Sequence, residues 1–429
     1  MSIGRTMNTG VSGLLAEANA LGIVGDNIAN VNTLGFKYSR EQFEDVLGCV
    51  AGRLSGGGAG VRMLRSQQVF SQGSLVNTGN ATDLALTGDG FFVVKGTVDG
   101  VTGQFYSRAG QFTLSKDGVL TTPQGLVIQG YTALPTGGFA TTLGDVSVST
   151  ASLSPNPTTE LQVTANLDAN ALPPVLAWDP NDAANTSNFS TSITVYDSLG
   201  NSHAVDVYFR NTGPNTWEYH ALADGDEVNP PTPGGVVEWA TGTLTYDTEG
   251  RLTSNDLTGG GTIDFNGATP GQAIDLEFGD PIALGGTGML GLTQYGGPST
   301  VSAQNQDGYG SGELTGIQVS ADGVVRGVYT NGQTLPVAQI AVAKFRATDG
   351  LDRAGHNLWV ETGVSGDAVI GAACTGGRAS VVAGAVEQSN VDIAEQFVEM
   401  IAHQRAFTAN SKTITTADEM LVELMNIKR

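Results

Sequence analysis

The two ends of this chain carry the same pattern of apolar residues, spaced seven positions apart. Such spacing places the residues on one stripe of an α-helix. It predicts a helix over about 4–30, which a cluster of Asn, Thr and Gly residues at 30–35 ends, and a longer helix over about 390–427. The stripe residues are Met7, Leu14, Leu21 and Ile28 in the first helix, and Ile393, Phe397, Met400, Phe407, Ile414 and Leu421 in the second.

The spacing leaves two ways to bury these stripes. The helices can pack on each other as an antiparallel pair within one chain, or they can pack between separate molecules. The first helix contains five glycines, and each costs about 1 kcal/mol relative to alanine inside a helix. We therefore predict that both ends are loose in the monomer and become ordered on association. Ser389 is the predicted N-cap of the second helix.

Between its two ends the chain is rich in turn and strand signals. Glycine accounts for 60 of the 429 residues, about twice the usual share. A buried strand is predicted at 90–95, and acidic-residue–glycine turns predict hairpins over 112–120, 244–252 and 317–325. The predicted fold class is mainly β with α-helical termini. Discontinuous β domains form an insertion between coiled-coil-like helices at the N- and C-terminal ends.

Changes in composition divide the chain into four predicted parts. Proline-rich stretches at 154–157 and 172–174 mark the entry to a middle region, and a glycine-rich run at 285–297 ends it. The predicted parts are a terminal helical domain over 1–30 with 390–429, an extended linking region over 31–74 with about 380–389, a discontinuous β domain over 75–143 with 301–379, and an inserted variable outer β domain over 144–300.

The charge balance and the motif search argue against several classes of function. The formal net charge is −22, which argues against nucleic acid as a partner because phosphate backbones need clustered lysine and arginine. The sequence contains no run of about 18 apolar residues, so it predicts no membrane-spanning helix. Two cysteines and four scattered histidines form no zinc motif. We predict no catalytic, cofactor-binding or metal site, although paired surface carboxylates are hard to exclude in an acidic β-rich chain.

The most specific short stretch is Gly25–Lys37, at the end of the first predicted helix. Asn27 and Asn30 lie one turn apart, so their amides can bind a neighbouring backbone. Asn32 and Thr33 suit a helix end, Gly35 permits a positive φ, and Phe36 can anchor the emerging chain. On physical grounds alone this stretch is also compatible with an ordinary helix end.

Several stretches together resemble the bacterial flagellar rod and hook axial family. They lie at both ends and in both halves of the predicted interrupted β domain. Two of them, at 305–314 and 329–333, are similar to the hook members in particular. The stretches are 27–37, 88–94 (Gly-Asp-Gly-Phe-Phe-Val-Val), 106–112 (Tyr-Ser-Arg-Ala-Gly-Gln-Phe), 305–314, 329–333 and 410–421.

The resemblance implies a structural subunit that self-assembles into the flagellar hook. This curved, flexible tube acts as a universal joint and transmits torque from rod to filament. The terminal stripes would pack on the inside of the polymer, and Asn27 to Phe36 would link the helix to the β domain. The implied partners are further copies of the chain, a hook-cap protein, a distal rod protein, a hook–filament junction protein and the flagellar type III export apparatus. The implied location is extracellular, after export without a cleaved signal peptide.

Three other interpretations stay open. A distal rod protein of the basal body would share both ends, but the middle insertion of roughly 155 residues favours the hook. A secreted β-rich carbohydrate-active enzyme would need a pair of essential acids. A surface adhesin is compatible with a variable middle domain. Neither of the last two explains matching heptad stripes at both ends.

Overall fold

The computed structural model describes residues 3–50, 53–134, 137–148 and 152–427. Long helices lie at both ends of the chain, and a short one lies in the middle. The helices are α1 (Ile3–Ala29), α2 (Ala183–Thr186) and α3 (Ile393–Ile427), and single 3-10 turns occur at Pro180–Asp182, Ile282–Leu284 and Thr348–Gly350.

Strands make up most of the chain between the two long helices. The first group is β1 Ser39–Val50, β2 Arg53–Gln68, β3 Leu75–Asn77, β4 Leu84–Thr87, β5 Phe91–Val98, β6 Val101–Ser107, β7 Thr113–Leu114, β8 Leu120–Thr121, β9 Val127–Thr132 and β10 Gly144–Asp145. The second group is β11 Glu160–Asp168, β12 Phe189–Tyr196, β13 Ser202–Gly213, β14 Thr216–Asp224, β15 Val236–Tyr246, β16 Leu252–Gly260, β17 Thr262–Ile263, β18 Gln272–Ala273, β19 Asp275–Glu277, β20 Thr293–Tyr295 and β21 Thr300–Gln306. The third group is β22 Leu314–Val319, β23 Val324–Tyr329, β24 Thr334–Lys344, β25 Asp352–Gly355, β26 Leu358–Val360, β27 Val369–Ala372, β28 Ser380–Ala383 and β29 Ala385–Glu387.

The start of α3 differs by a few residues from the sequence prediction. The helix begins at Ile393, and Asp392 caps it, because its Oδ1 accepts hydrogen bonds from the backbone N–H groups of Ala394 (2.8 Å) and Glu395 (3.2 Å). The predicted cap, Ser389, lies outside the helix, where its hydroxyl accepts from the Val391 N–H at 3.3 Å. A carboxylate also interacts favourably with the positive end of the helix dipole.

The chain forms two compact units, and the first contains both long helices. It comprises 1–150, 316–328 and 334–429. Its main sheet has twelve strands along the path β22-β23-β24-β9-β5-β6-β26-β25, with β7, β8, β10 and β27 attached. The core of this sheet is aromatic: Phe91 packs edge-on against Phe70 (5.4 Å) and Phe345 (5.7 Å). Burial of all four residues from Phe91 to Val94 explains why this stretch is a continuous apolar run.

Three smaller antiparallel pairs position the helices in this unit. Strands β1 and β2 form a long hairpin. Strands β28 and β29 pair with β4 and β3, so the segment that leads into α3 lies beside the segment that follows the hairpin. Both long helices therefore start or end next to the same group of short strands.

The second unit comprises 151–315 and 329–333. Strands β12 to β16 form a five-stranded antiparallel sheet, and β11 pairs with β19 and β20 in parallel and with β21 antiparallel. Alternation along β13 places Val205, Val207 and Phe209 in the core. Trp217 and Tyr219 of β14 complete this core.

The predicted fold class is confirmed, and the three predicted hairpins are formed by β7–β8, β15–β16 and β22–β23. The structure divides the β region at 151 and 315, whereas the sequence placed the division at 144 and 300. The reason is non-local pairing: Gly144 pairs with Gly130 of β9, and Thr300 pairs with Asn166 of β11. The predicted extended linking region over 31–74 contains the β1–β2 hairpin.

Candidate assembly surface and its anchor

The two long helices pack on each other in antiparallel fashion, and glycines bring them close. A Cβ atom added at Gly10 would lie 2.8 Å from Cγ1 of Ile414, and one at Gly13 would lie 2.6 Å from Nδ2 of Asn410. Two of the five glycines in the first stripe therefore sit where α3 approaches. The structure thus contains the antiparallel pair within one chain, one of the two arrangements that the spacing left open.

Helix α1 also lies along the β1–β2 hairpin. The Ser12 hydroxyl accepts from the Val61 N–H at 3.2 Å, and Arg5 donates through Nε (3.2 Å) and Nη2 (3.0 Å) to the carbonyl of Gly58. Helix α1 is packed between α3 and the hairpin. Because both approach it closely, the residues of α1 that are fully buried are small ones. Ala16, Ala20 and Val24 are each no more than 3% exposed.

The predicted stripe residues are consequently divided between the helix pair and the surface. One group is half-buried: Met7, Leu14, Leu21, Ile28, Met400, Ile414 and Leu421. The other group is exposed: Ile393, Phe397 and Phe407. The structure places Ile414 of the first group against Gly10 of α1 and leaves the side chains of the second group 39–49% exposed in a single chain.

Val398, Met420 and Leu424 are exposed on other sides of α3, and six further exposed apolar side chains share one side. At 3.6 residues per turn they fall within about a third of the helix circumference. We call this set the outer face of α3. Its members are Ile393 (45% exposed), Phe397 (49%), Ile401 (50%), Phe407 (39%), Val422 (52%) and Met425 (74%). The two groups, Ile393 to Phe407 and Val422 to Met425, present exposed apolar surface of the kind that marks interaction sites.

The Gly25–Lys37 stretch joins α1 to the rest of the first unit. Asn27 is 1% exposed, and its Oδ1 accepts from the Ser39 N–H at 2.9 Å. Its Nδ2 donates to the Ser39 carbonyl (2.7 Å) and to Oε1 of Gln396 in α3 (2.8 Å). One amide thereby ties together α1, α3 and the first residue of β1. This agrees with the prediction that the amide binds a neighbouring backbone.

The remaining motif residues form the turn after α1. Asn30 Nδ2 donates to the Asp26 carbonyl at 2.9 Å, and its Oδ1 accepts from the Thr33 hydroxyl at 3.1 Å. Asn32 is exposed. Gly35 has φ +68°, and a Cβ there would lie 2.6 Å from the Ala109 nitrogen. Phe36 is 3% exposed, and the Arg353 guanidinium stacks over its ring at 5.1 Å.

Sequence reasoning missed the buried ion cluster at the end of this stretch. Lys37 and Glu387 have fully buried side chains, and Lys37 Nζ lies 2.6 Å from Glu387 Oε1. Arg108, 4% exposed, approaches the other carboxylate oxygen at 3.4 Å. Lys37 also donates to the Ser71 carbonyl (2.6 Å), and Glu387 accepts from the Gly73 N–H (2.8 Å). Burial lowers the pKa of Lys37, and the ion pair with Glu387 offsets only part of that effect.

Asn390 ties the same region to the start of α3. Its Nδ2 donates to the Val69 carbonyl at 2.8 Å, and its Oδ1 accepts from the Tyr38 N–H at 2.8 Å. Asn390 and the ion cluster together hold the segment before α3 against the residues that directly precede and follow the hairpin. We call Asn27, Lys37, Arg108, Glu387 and Asn390 the anchor of the helix pair. It fixes the direction in which both helices leave the β region.

Neither metal chemistry nor a membrane span has structural support in the described ranges. Within residues 3–50, 53–134, 137–148 and 152–427, no three histidine, cysteine or acidic side chains converge to hold a metal ion. In the same ranges no helix combines the length and the apolar character that crossing a membrane requires.

Family models match four stretches that cover most of the chain. They are the flagella basal body rod protein (7–37), the flagellar hook protein FlgE/F/G D1 domain (85–162), the flagellar basal body protein FlaE D2 domain (166–309) and the flagellar basal body rod FlgEFG protein C-terminal (382–427). The first and last of these contain the long helices. The FlaE D2 match lies within the second unit.

Full-length relatives decide between rod and hook. The chain is 35% identical to the flagellar hook protein FlgE of Escherichia coli (strain K12), over 97% of this chain and 98% of that protein. It is 34% identical to the flagellar hook protein FlgE of Treponema pallidum (strain Nichols), over 99% of this chain and 100% of that protein. The chain belongs to the flagellar hook protein family. The resemblance found in the sequence motifs is confirmed.

A solved structure shares the fold of this hook family member. The crystal structure of Helicobacter pylori flagellar hook protein FlgE2 superposes with a TM-score of 0.50 at 16% sequence identity. It covers 71% of this chain and 98% of that one. The hook family therefore combines low sequence identity with a common β architecture.

Proposed function

We propose that this hook family member self-assembles through its terminal helices into the curved tube of the flagellar hook. The outer face of α3 packs on neighbouring copies, and the α1–α3 pair is the unit that does the packing. The β units lie outside this helical layer and slide against their neighbours. The tube then bends while it turns, and it passes torque from rod to filament as a universal joint.

The observation that carries this proposal is the outer face of α3. Six apolar side chains between 39% and 74% exposed lie along one side of a single helix. Covering them removes apolar area from water, which is the main driving force for association. The predicted stripe is then covered in two ways: α1 covers part of Met400, Ile414 and Leu421, and the next copy covers the exposed Ile393, Phe397 and Phe407.

The anchor supports a mechanical role for the same helices. A load applied to α3 passes to the β region through Asn390 and through β29, which carries Glu387. Buried ion pairs and buried amide bonds are costly to break singly, so this connection is stiff. Asn27 carries the corresponding connection for α1, and Asn30, Thr33, Gly35 and Phe36 shape the turn that follows it.

The proposed partners follow from membership of the hook family and from the motif resemblance. They are further copies of this chain, a hook-cap protein, a distal rod protein, a hook–filament junction protein and the type III export apparatus. The proposed location is the extracellular hook, after export without a cleaved signal peptide. We propose a structural role without catalysis, since the helices, the anchor and the outer face all serve packing.

The proposal is tested by placing a charge on the outer face. Phe407→Asp would bury an unpaired carboxylate between copies, which costs several kcal/mol. The critical concentration for polymerisation should rise about 100-fold or more. Ala402→Asp is the matched control, because Ala402 is also exposed but lies on another side of α3.

Both variants are measured by sedimentation of purified protein and by electron microscopy of detached flagella. Circular dichroism checks that the monomer remains folded. Loss of hooks with Phe407→Asp and normal hooks with Ala402→Asp would support the proposal. Normal hooks from a folded Phe407→Asp protein would refute it.

A further inference from the structure

One histidine lies where three elements of the first unit meet. His403 of α3 approaches Glu17 of α1 through Nδ1, at 2.6 Å from Oε2. It approaches Glu41 of β1 through Nε2, at 2.7 Å from Oε1. All three side chains are largely shielded, at 15%, 19% and 13% exposed. A single imidazole thus bridges both long helices and the hairpin.

The proton count of this bridge follows from its geometry. An ionised carboxylate only accepts hydrogen bonds, and a neutral imidazole carries one N–H. A neutral His403 could therefore donate to Glu17 or to Glu41 but not to both. Two short contacts from two ring nitrogens fit an imidazolium, in which both nitrogens donate. Loss of the proton would leave one carboxylate facing a ring nitrogen lone pair.

The charged side chains around this bridge are all acidic. Glu17 comes from α1, Glu41 from β1, and Glu399 and Glu395 from α3 itself, while β2 presents the neutral Ser66 opposite Glu41. Within the described part of the chain, no lysine or arginine forms an ion pair with Glu17 or Glu41. The imidazolium is then the cation that offsets these acids.

Two pKa values are shifted by this environment. Burial lowers the pKa of His403, but hydrogen bonds and charge interactions with Glu17 and Glu41 outweigh it, so the pKa of His403 lies above its ordinary value. Burial, followed by the charges of Glu41 and Glu395, raises the pKa of Glu399, although Gln396 donates to it at 2.9 Å. Both shifts mean that the folded state holds its protons more tightly than the unfolded chain does.

We propose that protonated His403 is a lock that fastens α1, α3 and the β1–β2 hairpin together, and that this lock opens as the pH rises. A histidine whose pKa is raised on folding contributes stability that is fully present below its unfolded value of about 6.5. That stability is lost as the pH rises through the folded value. Glu399 acts in the same direction at lower pH, because a carboxyl group with a raised pKa favours the folded state when it is protonated.

The lock has a consequence for assembly, and that consequence rests on the proposed function. Opening would free the helix that carries the outer face of α3. In mildly acid conditions the hook subunit would then enter the polymer with α1, α3 and the hairpin fastened together by the lock. In alkaline conditions it would enter with the lock open. The lock itself is a property of the monomer and is tested there, so its failure can be told apart from failure of the assembly proposal.

The first measurement is a histidine titration of the full-length monomer by NMR between pH 5 and pH 9. His403 is identified by the loss of its signal in His403→Gln or, if that variant does not fold, by elimination with variants of the other three histidines. The proposal expects a pKa for His403 above 6.5. A value at or below 6.5 would overturn it.

The second measurement is hydrogen exchange of α3 peptides over the same pH range, expressed as protection factors. In the native chain, protection should fall with rising pH, up to about tenfold for each unit by which the folded pKa of His403 exceeds the unfolded value. His403→Gln should show lower protection at pH 6 and a flat profile. His356→Gln is the control, since His356 is exposed and, among the residues that the structure describes, forms an ion pair only with Asp99. A native-like slope in His403→Gln would overturn the proposal.

Discussion

Glu387→Gln tests whether the anchor holds the first unit together. The substitution keeps the size of the side chain and removes its charge. Lys37 then retains the Ser71 carbonyl as a partner, and Arg108 retains the Gly88 carbonyl at 2.7 Å. Lys37, which is fully buried, then retains no counter-charge, and Arg108, which is 4% exposed, retains only the weaker attraction of the exposed Asp89.

The size of the effect follows from the burial of the pair. Removing one partner of a buried ion pair costs about 3–5 kcal/mol, because the other charge stays in a poorly solvated site. Burial already lowers the pKa of Lys37, and loss of Glu387 lowers it further. The variant can therefore release the proton of Lys37 at alkaline pH. Its loss of folding stability relative to the native chain should then become smaller as the pH rises. Lys37→Met/Glu387→Gln removes the trapped ammonium and should be more stable than the single variant by at least about 1 kcal/mol.

The assay is urea-dependent hydrogen exchange followed by mass spectrometry, which reports the two units from separate peptides. Glu387→Gln should lower the free energy of opening of β3 and β29 and leave that of β12–β16 unchanged. Glu44→Gln is the control, because Glu44 pairs with Arg62 on the surface of the same unit, where Arg62 is 70% exposed. An exposed pair contributes about 0–1 kcal/mol. If Glu387→Gln cost no more than this control, the reasoning about the anchor would be wrong.

Three further predictions test the helix pair by the same assay. Asn27→Ala removes three buried hydrogen bonds and should destabilise the first unit by about 2–4 kcal/mol; a loss confined to α1 peptides would contradict its role in linking α1, α3 and β1. Asp392→Ala should cost about 1 kcal/mol through loss of the α3 cap, whereas Ser389→Ala should cost clearly less. Gly22→Ala meets open space and should stabilise α1 by about 0.5–1 kcal/mol, but Gly10→Ala should give no such gain, because its Cβ would meet the stiff side chain of Ile414; equal gains at both sites would refute the close approach of the helices.

Local patterns in the sequence predicted the elements well. The heptad spacing located both long helices, and the turns at 117–118 and 322–323 located two hairpins, because these signals lie within a few residues of the structure they specify. The positive φ of Gly35 and the backbone contact of Asn27 were also foreseen. Each depends on a side chain and on the backbone conformation close to it.

The contacts that join distant segments could not be predicted in this way. Lys37 pairs with Glu387, which is 350 positions away in the sequence. No local sequence pattern near either residue predicts this pair. The pairing of β21 with β11 moved the domain boundary for the same reason. The heptad stripe showed which residues are apolar, but it could not show that small residues such as Ala16 and Ala20 line the tightest contact. That arrangement depends on the hairpin, which packs against α1 on a different side from α3.

The sequence separation of the Lys37–Glu387 pair also limits when the first unit can complete its folding. Lys37 is made 350 residues before its counter-charge, so the ion pair cannot form while the growing chain ends before Glu387. The anchor therefore cannot form until residue 387 has been added to the growing chain. Closing a loop of this length is slow and entropically costly. We therefore expect the anchor to be among the last contacts of the first unit to form.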